Sequence, residues 1–521
     1  MRSVDSIEEA RRQMADNQFG RAIQVLELAC RQHPGSGSLR LELADILSLT
    51  GRISEATELY LDLFQDGFRQ AIVLASLAVS LFDEGRVPEA IASGRAAVLA
   101  DPQLLLARSN LLFSLSCIDN VDPLELFKEH CVFGQLVPPP VPVRSPRLPG
   151  KTRIGFLCAS FSLHPVGRFS FPVVCGLDRN RFEVYCYSSA LYGDVLTKQF
   201  RGVADHWREI SQLNDAQAAK LIREDDLDIL VELDGHTAGN RLAVVAEKPA
   251  RRTVTWLGYF NTTGISSVDH RIVDHITDPE PLSSQIHVEK LIKLEPPFVV
   301  FSKPLSAPPV SPLPALANGF VTFGAFGQVP KQSESAVDAI ARVVLAVPHS
   351  RLMICASACR DLNVRDAVVK RFASRSIPVE CIACGGAKGN YEYLAAHRQV
   401  DIMLDLFPFT GFTTTCESLW MGVPMVTLQG RTHRERVSSS FLTAAGYPQL
   451  IATSVDSYLR IACDLAKDIP RLAEMRTAMR GSMLRSPLMD VGAFVKRFEE
   501  ALLSVVSGPD LQHNHALRVS A

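Results

Sequence analysis

The stretch with the clearest chemical potential begins at Asp401 and reads DIMLDLFPFTGFTTTCESLWMGVPMVTLQG. Its apolar start is typical of a buried parallel strand, and residues 413–421 predict a helix after a turn broken by proline and glycine. The hydroxyl side chains of Thr413, Thr414 and Thr415 stand where this helix begins. The free N–H groups of a helix start suit a phosphate, so the pattern predicts a nucleotide diphosphate site, although threonines also cap ordinary helices.

Two further side chains could take part in chemistry. Lys331, in FGAFGQVPKQ, follows a strand-like run and could neutralise a diphosphate that leaves with growing negative charge. His164, in RIGFLCASFSLHP, could serve as a base or hold an acceptor group, because its ordinary pKa lies near neutrality. The alternatives are a solvated loop lysine and a histidine bonded to a loop carbonyl.

Small and polar residues recur where predicted strands end, which is where open α/β sheets bind ligands. A cleft between two such sheets is therefore the expected site. The further members of these clusters are Asp234 and His236 in LDGHT, Thr262 in GYFNTTG, and Gln328 in FGQ.

Two patterns in the sequence could bind a metal ion, but neither is interpreted as a metal site. Asp226 and Asp228 form an Asp-x-Asp pair, but they stand at the start of a predicted strand, away from the other clusters, and are interpreted as solvated surface. Four cysteines at positions 355, 359, 381 and 384 could bind a metal as thiolates, but they lie in strand-like runs where buried free cysteine is ordinary.

The composition limits the class of protein. A chain of 521 residues predicts three or four domains at about 150 residues each. A net charge of -2 without a basic cluster argues against nucleic acid as a partner. The charged N-terminus resembles no signal peptide, and no apolar run is long enough for a membrane span. Twelve scattered cysteines favour a reducing compartment, so a cytoplasmic protein is expected.

The first 120 residues contain an internal repeat. Alanines and turn residues recur every 34 residues, at Ala10, Ala44 and Ala78, at Asn17, Gly51 and Gly85, and at Ala22, Ala56 and Ala90. This period predicts tetratricopeptide repeats, pairs of antiparallel helices that stack into a superhelix. Such an array could recruit a peptide or only brace the next domain, and the sequence leaves both open. Residues 121–150 then predict a helix and a proline-rich linker.

Two series of alternating strands and helices follow. Predicted strands fall at residues 153–159, 182–187, 227–233, 253–257 and 272–276, and then at 320–325, 351–356, 379–384, 401–407 and 424–428. The alternation predicts two parallel-sheet, Rossmann-like lobes, at residues 151–312 and 313–506, followed by a tail at 507–521. The expected fold class is therefore a two-lobed α/β region preceded by an all-α repeat array.

The motifs taken together resemble the O-linked N-acetylglucosamine transferase family, in particular its bacterial and SPINDLY-like members. They occur in the order RIGFLCASFSLHP, LDGHTAGNR, WLGYFNTTG, FGAFGQVPK, VDIMLDLFPFTGFTTTCESLWMGVPMVTL and RERVSSSFLTAAGY. The resemblance implies a GT-B catalytic region and sugar transfer to protein Ser or Thr hydroxyls. The donor in most of the family is UDP-N-acetylglucosamine, and transfer is inverting, with no metal and no cofactor.

Residue roles are carried over from this family by motif. His164 corresponds to its active-site histidine, and Lys331 to the lysine that neutralises the departing diphosphate. The predicted nucleotide-sugar contacts are Gln328, Thr413, Thr414, Thr415, Glu417 and Tyr393. The predicted acceptor or pocket residues are Asp234, His236, Thr262 and Arg436.

The chain departs from the animal members at three of these positions. Their Gly-His-Thr-Thr-Gly is Gly-Phe-Thr-Thr-Thr here, Glu417 replaces an aspartate, and Tyr393 replaces a histidine. The threonine run is closer to the pattern of the bacterial and SPINDLY proteins, and SPINDLY proteins use GDP-fucose. Protein O-fucosyl transfer is therefore the alternative activity, with asparagine N-glucosylation behind it. A scaffold that binds nucleotide without turnover is the alternative of another class. The acceptor proteins, the general base and the oligomeric state are not readable from the sequence.

Overall fold

The computed structural model describes residues 3–16, 18–141 and 150–508. The chain divides into two compact units, and neither is continuous in sequence. The first unit comprises Met1–Asn120, Leu305–Leu428 and Leu450–Arg480, and the second comprises Val121–Pro304, Gln429–Gln449 and Gly481–Ala521, as far as these ranges are described. Asn17 of the repeat, residues 142–149 of the predicted linker and residues 509–521 of the predicted tail lie outside the described residues.

The first unit opens with the predicted helical repeats. Their helices are α1 Ser3–Ala15, α2 Phe19–Gln32, α3 Gly37–Thr50, α4 Ile53–Gln65, α5 Gln70–Asp83, α6 Val87–Ala100 and α7 Leu105–Leu115. The repeated alanines Ala22, Ala56 and Ala90 are buried, because only a small side chain lets the paired helices approach closely. Gly51 takes up a left-handed conformation at the end of α3, which a side chain would disfavour.

The same unit holds a six-stranded parallel sheet. Its strands are β8 Thr322–Phe326, β9 Arg351–Cys355, β10 Ile382–Gly385, β11 Ile402–Leu404, β12 Met425–Leu428 and β13 Ile451–Ala452. They are ordered β10-β9-β8-β11-β12-β13, so β8 and β11 are central neighbours. The helices that accompany them in the chain are α13 Pro314–Asn318, α14 Glu334–Ala346, α15 Leu362–Ala373, α16 Asn390–Ala396, α17 Thr413–Trp420 and α19 Val455–Lys467.

The second unit is built on a seven-stranded parallel sheet. Its strands are β1 Thr152–Cys158, β2 Phe182–Ser188, β3 His206–Glu209, β4 Ile229–Glu232, β5 Arg252–Thr255, β6 His270–Asp274 and β7 Lys290–Leu294, in the order β3-β2-β1-β4-β5-β6-β7. Its helices are α8 Pro123–Leu136, α9 Pro165–Gly176, α10 Val195–Val203, α11 Asp215–Glu224, α12 Leu242–Ala246, α18 Val437–Ala444 and α21 Val491–Ser507. Helix α20, Ile469–Leu484, contains the boundary between the units.

The two parallel sheets and the helical array confirm the predicted fold class, and the strand count differs. Strands β3, β7 and β13 were not predicted, because β3 and β7 are partly exposed edge strands and β13 has two residues. The predicted strand at 379–384 is wrong in its first half, since Val379–Cys381 forms a 3₁₀ turn. In the described part of the chain, no helix combines the length and apolarity that crossing a bilayer requires.

Candidate active site

Lys331 lies on a 3₁₀ turn, Val329–Lys331, directly after β8. The side chain is partly buried, and its Nζ atom lies 3.9 Å from the centre of the Phe409 ring. Burial lowers the pKa of Lys331, while the nearby Cys117 thiol and Asp405 carboxylate oppose that decrease. The structure therefore holds an ammonium group against an aromatic face, next to a buried carboxylate.

Asp405 fixes the turn between β11 and α17. Its Oδ1 atom accepts the N–H of Gly411 at 2.9 Å, and its Oδ2 atom accepts the Thr427 hydroxyl at 2.6 Å. A Cβ atom on Gly411 would lie 2.5 Å from the Thr415 hydroxyl oxygen and 3.2 Å from Asp405 Oδ1. The turn therefore requires glycine at this position, and the aspartate determines where α17 begins.

The three predicted threonines do occupy the start of α17, which begins at Thr413. The hydroxyl oxygen of Thr413 is enclosed by the protein and has no hydrogen-bond partner among the described residues. A buried hydroxyl without a partner is costly, so this oxygen is an unsatisfied polar group at the start of the helix. Thr414 is partly buried, and Thr415 and Glu417 are buried in the helix behind it.

Gln328 and Tyr393 lie at the same sheet edge. Gln328 is exposed at the start of the Lys331 turn, and the Tyr393 ring lies 5.7 Å from that of Phe326, the last residue of β8. Tyr393 also packs against His397. The structure thus places Gln328, Thr413 and Thr414 where the chain leaves β8 and β11, with Tyr393 packed on the last residue of β8. Thr415 and Glu417 are buried in α17 behind them. Their roles stay predictions. Their position suits a nucleotide, with its phosphates near the helix start and its base stacked on an aromatic ring.

His164 stands at the corresponding edge of the second unit, where it caps the N-terminus of α9. Its Nδ1 atom accepts the Val166 N–H at 3.3 Å, and its side chain is exposed. An imidazole that accepts at Nδ1 carries its proton on Nε2 when neutral. In this geometry the Nε2 proton of His164 can be donated to a bound group. For Nε2 to act as a base, the ring proton must first move to Nδ1, and this breaks the contact with the Val166 N–H.

Asp234 is buried behind the loop that carries His164. Its carboxylate accepts the Ala159 N–H at 2.7 Å and the Cys158 thiol at 3.3 Å. Burial raises the pKa of Asp234 to about 7, and the neighbouring Glu232 carboxylate contributes to that rise. Asp234 therefore anchors the end of β1, and its predicted pocket role stays a prediction.

The other predicted pocket residues also hold the fold of the second unit. His236 Nε2 lies 2.9 Å from the Thr263 carbonyl oxygen, and burial lowers the pKa of His236 to about 4, so it donates there as a neutral ring. The Thr262 hydroxyl donates to Glu289 at 2.7 Å. Arg436 donates from its Nη1 atom to the Gly430 carbonyl at 2.8 Å. These contacts favour a supporting role for all three.

The interpretation of Asp226 and Asp228 as solvated surface is wrong for Asp228. That residue is buried, and its carboxylate accepts the Arg153 N–H at 3.0 Å. Asp226 forms an ion pair with Arg251 at 2.7 Å. Across residues 3–16, 18–141 and 150–508, no group of three or more His, Cys, Asp or Glu side chains is placed to hold a metal ion.

Sequence reasoning missed four side chains that shape these sites. Asp405 and Phe409 flank the threonine turn, Glu232 accepts the N–H groups of Asp234 and Gly235 at 2.6 Å each, and Phe113 reaches Phe409 from the repeats. An acidic residue inside the apolar runs LVEL and LDLF is a signal for the two carboxylates. Nothing in the sequence marks the two aromatic residues.

The sequence profile described as glycosyl transferase family 41 matches residues 140–303 and 313–498, which is more than half of the chain. The chain belongs to glycosyl transferase family 41. The resemblance inferred from the motifs is thereby confirmed, and both sheets and both candidate sites lie within the regions that match family 41.

Curated relatives of this family 41 chain include two plant proteins. The rice protein "Probable UDP-N-acetylglucosamine--peptide N-acetylglucosaminyltransferase SPINDLY" is 36% identical over 412 residues, which cover 77% of this chain and 44% of the relative. The Arabidopsis thaliana protein of the same description named SEC is 27% identical over 379 residues, covering 70% and 38%. The chain thus spans less than half the length of the curated relatives it matches.

A solved structure resembles nearly the whole chain. A mutant of the Thermobaculum terrenum O-GlcNAc transferase superposes with a TM-score of 0.90 at 28% identity, covering 97% of this chain and 98% of that one. The family 41 chain described here therefore has the architecture of a bacterial O-GlcNAc transferase, tetratricopeptide repeats followed by a GT-B region.

Proposed function

We propose that this protein transfers a sugar from a nucleoside-diphosphate sugar to hydroxyl groups of proteins, with N-acetylglucosamine from UDP-N-acetylglucosamine as the first candidate. The observation that carries the proposal is that Lys331 follows β8 and the threonine-rich start of α17 follows the neighbouring parallel strand β11, at the same sheet edge. A cation and free helix N–H groups suit a pyrophosphate. The names of the SPINDLY and SEC relatives support the choice of donor.

The proposed reaction exchanges one bond for another. A Ser or Thr hydroxyl oxygen of the acceptor bonds to the anomeric carbon while the bond from that carbon to the diphosphate oxygen breaks. Negative charge builds on the leaving diphosphate, and the Lys331 ammonium and the α17 N–H groups are the donors that stabilise it. The hydroxyl proton passes to a base or to solvent. His164 accepts the Val166 N–H at Nδ1, so its neutral ring carries the proton on Nε2 and is placed to donate to a bound group.

GDP-fucose is the second candidate donor. The motif resemblance links SPINDLY proteins to GDP-fucose, and the chain is 36% identical to the SPINDLY relative but 27% identical to SEC. The partners are proposed to be acceptor proteins, and whether the repeat array recruits them stays a prediction. The free thiols recorded along the described chain fit a reducing compartment, so the cytoplasm stays the proposed location.

A donor screen tests the proposal directly. Purified protein is heated with UDP, GDP and their sugars, and a nucleotide at 100 times its dissociation constant is expected to stabilise the fold by about 2.7 kcal/mol. The nucleotide with the larger shift is then supplied as a labelled sugar donor with a lysate of host proteins. Labelling from UDP-N-acetylglucosamine supports the first candidate. Labelling from GDP-fucose alone replaces it, and stabilisation without any labelling supports the scaffold alternative.

Asp405→Asn tests the electrostatic design of the Lys331 site. The amide keeps an acceptor for Gly411 but removes the negative charge near the ammonium, so the pKa of Lys331 should fall further. Lys331 acts in its charged form, so kcat falls as pH rises through the pKa of Lys331. This high-pH fall, the alkaline limb of the plot of kcat against pH, should therefore move to lower pH. Rates measured between pH 7 and 10 check this shift. An alkaline limb that stays in place would show that Asp405 does not act on Lys331.

A further inference from the structure

The repeat array contacts the Lys331 turn within the first unit. A Cβ atom on Gly85 would lie 2.5 Å from a methyl carbon of Val329, the residue that begins the turn. Just after the turn, the Asp119 carboxylate accepts the Ser335 N–H at 3.0 Å and the Ser335 hydroxyl. Residues from the repeats therefore lie against the chain on both sides of the lysine.

A line of aromatic rings connects the repeats to the ammonium itself. Phe82 of α5 meets Phe113 of α7 edge to face, with 5.7 Å between ring centres. Phe113 meets Phe409 at 6.0 Å, and the Phe409 ring faces the Nζ atom of Lys331 at 3.9 Å. Each of these contacts lies in the range of favourable aromatic or cation–π interaction.

We propose that Phe113 is a positioning residue for Lys331, holding the Phe409 ring so that the ammonium stays where the leaving diphosphate is to be stabilised. This inference rests on the function proposed above and assigns to the repeat array a direct effect on the rate of transfer. The array would then be part of the catalytic apparatus, whether or not it also recruits acceptors.

The geometry explains why the rate should depend on this ring. Phe409 stands on an irregular turn and not on a strand or helix, so its side chain is held by its neighbours. Without the Phe113 ring, Phe409 gains room to rotate and the ammonium loses its aromatic support. A displacement of about 1 Å at a reacting group costs on the order of a hundredfold in rate.

The charged state of Lys331 gives a second readout. The titratable groups that face the ammonium are the Cys117 thiol, just after α7, and the Asp405 carboxylate, just after β11. Both stay in place when Phe113 is changed, while water gains access to the ammonium. Desolvation is the main cause of the low pKa of Lys331, so its pKa should rise toward the ordinary value.

The test compares Phe113→Ala with two controls. Leu106→Ala removes an exposed apolar side chain from the same helix, and Phe113→Tyr keeps the aromatic ring. For Phe113→Ala, kcat is expected to fall about 10- to 100-fold while KM for the donor changes less than about threefold. Its alkaline limb should move to higher pH, opposite to Asp405→Asn. Leu106→Ala should match the wild type, and Phe113→Tyr, which keeps the ring, should restore most of the kcat that Phe113→Ala loses.

Other results overturn the inference. If Phe113→Ala has the same kcat and pH profile as Leu106→Ala, Phe113 does not position Lys331. The fall in kcat could instead match the loss of folded protein measured by thermal melting, with the alkaline limb unmoved. Phe113 would then contribute to stability alone.

Failure of the proposed function gives a different pattern. If the wild type transfers no sugar from any donor, that function is wrong, and calorimetry with UDP and GDP then compares the same variants. Weaker diphosphate binding by Phe113→Ala than by Leu106→Ala keeps the positioning role. Equal affinities for the diphosphate, or no binding by any variant, would contradict the positioning role of Phe113.

Discussion

Lys331→Ala is expected to lower kcat for sugar transfer by about 100- to 1,000-fold, the usual loss when one preorganised donor to a developing charge is removed. The ammonium lies 3.9 Å from the centre of the Phe409 ring, which stands four residues before the start of α17, and this contact fixes its position. Binding of the nucleoside diphosphate should weaken much less, because the α17 N–H groups remain. Single-turnover rates with labelled donor and calorimetry with the diphosphate separate these two effects.

Lys370→Ala is the matched control, because this lysine lies exposed near the end of α15 in the same unit. Its activity should equal that of the wild type. If Lys331→Ala also transferred sugar at the rate of this control, the leaving group would have to be stabilised elsewhere and the proposed mechanism would fail.

Gly167→Ala is expected to disrupt the His164 loop in the second unit. A Cβ atom at this position would lie 2.7 Å from the carbonyl oxygen of Ser160 and closer still to that of Ser162. Both atoms belong to the backbone of the loop, so the loop must move away from α9. Overpacking of this kind costs about 1–3 kcal/mol of unfolding free energy, and it displaces His164.

Gly202→Ala provides the comparison for this change. Gly202 lies on α10 with no atom within 4 Å of an added Cβ, so alanine should stabilise that helix by up to about 1 kcal/mol. Urea denaturation gives both stabilities, and transfer rates at a temperature where both variants are folded give the effect on His164. Equal stability and equal rates for the two variants would show that the loop tolerates the methyl group.

The repeat array and the two α/β series were predictable, because each rests on a local periodicity. The spacing of alanines and glycines predicts paired helices, and the apolar runs separated by amphipathic segments predict parallel strands. The short edge strands β3 and β7 escaped prediction since they are partly exposed and carry charged residues. Local sequence reports poorly on such strands.

The candidate site was predictable only where its residues follow strands directly. Lys331 and the threonines come just after β8 and β11, so their meeting at one edge follows from the rule for parallel sheets. The contact between Phe113 and Phe409 joins residues about 300 positions apart in the chain, and no local pattern indicates it. The buried state of Asp228 was missed for a similar reason, because its partner Arg153 belongs to another strand.

The interleaving of the two units along the chain bears on how the protein is made. The first unit is completed by residues 450–480, and the second by residues after 480. A ribosome releases the chain from its N-terminus, and domains continuous in sequence can fold as they emerge. Here the first unit has all its residues only once residue 480 has been made, and the second unit needs residues beyond 480. A premature stop after residue 450 would therefore leave both units incomplete, and a shortened chain would keep neither unit whole.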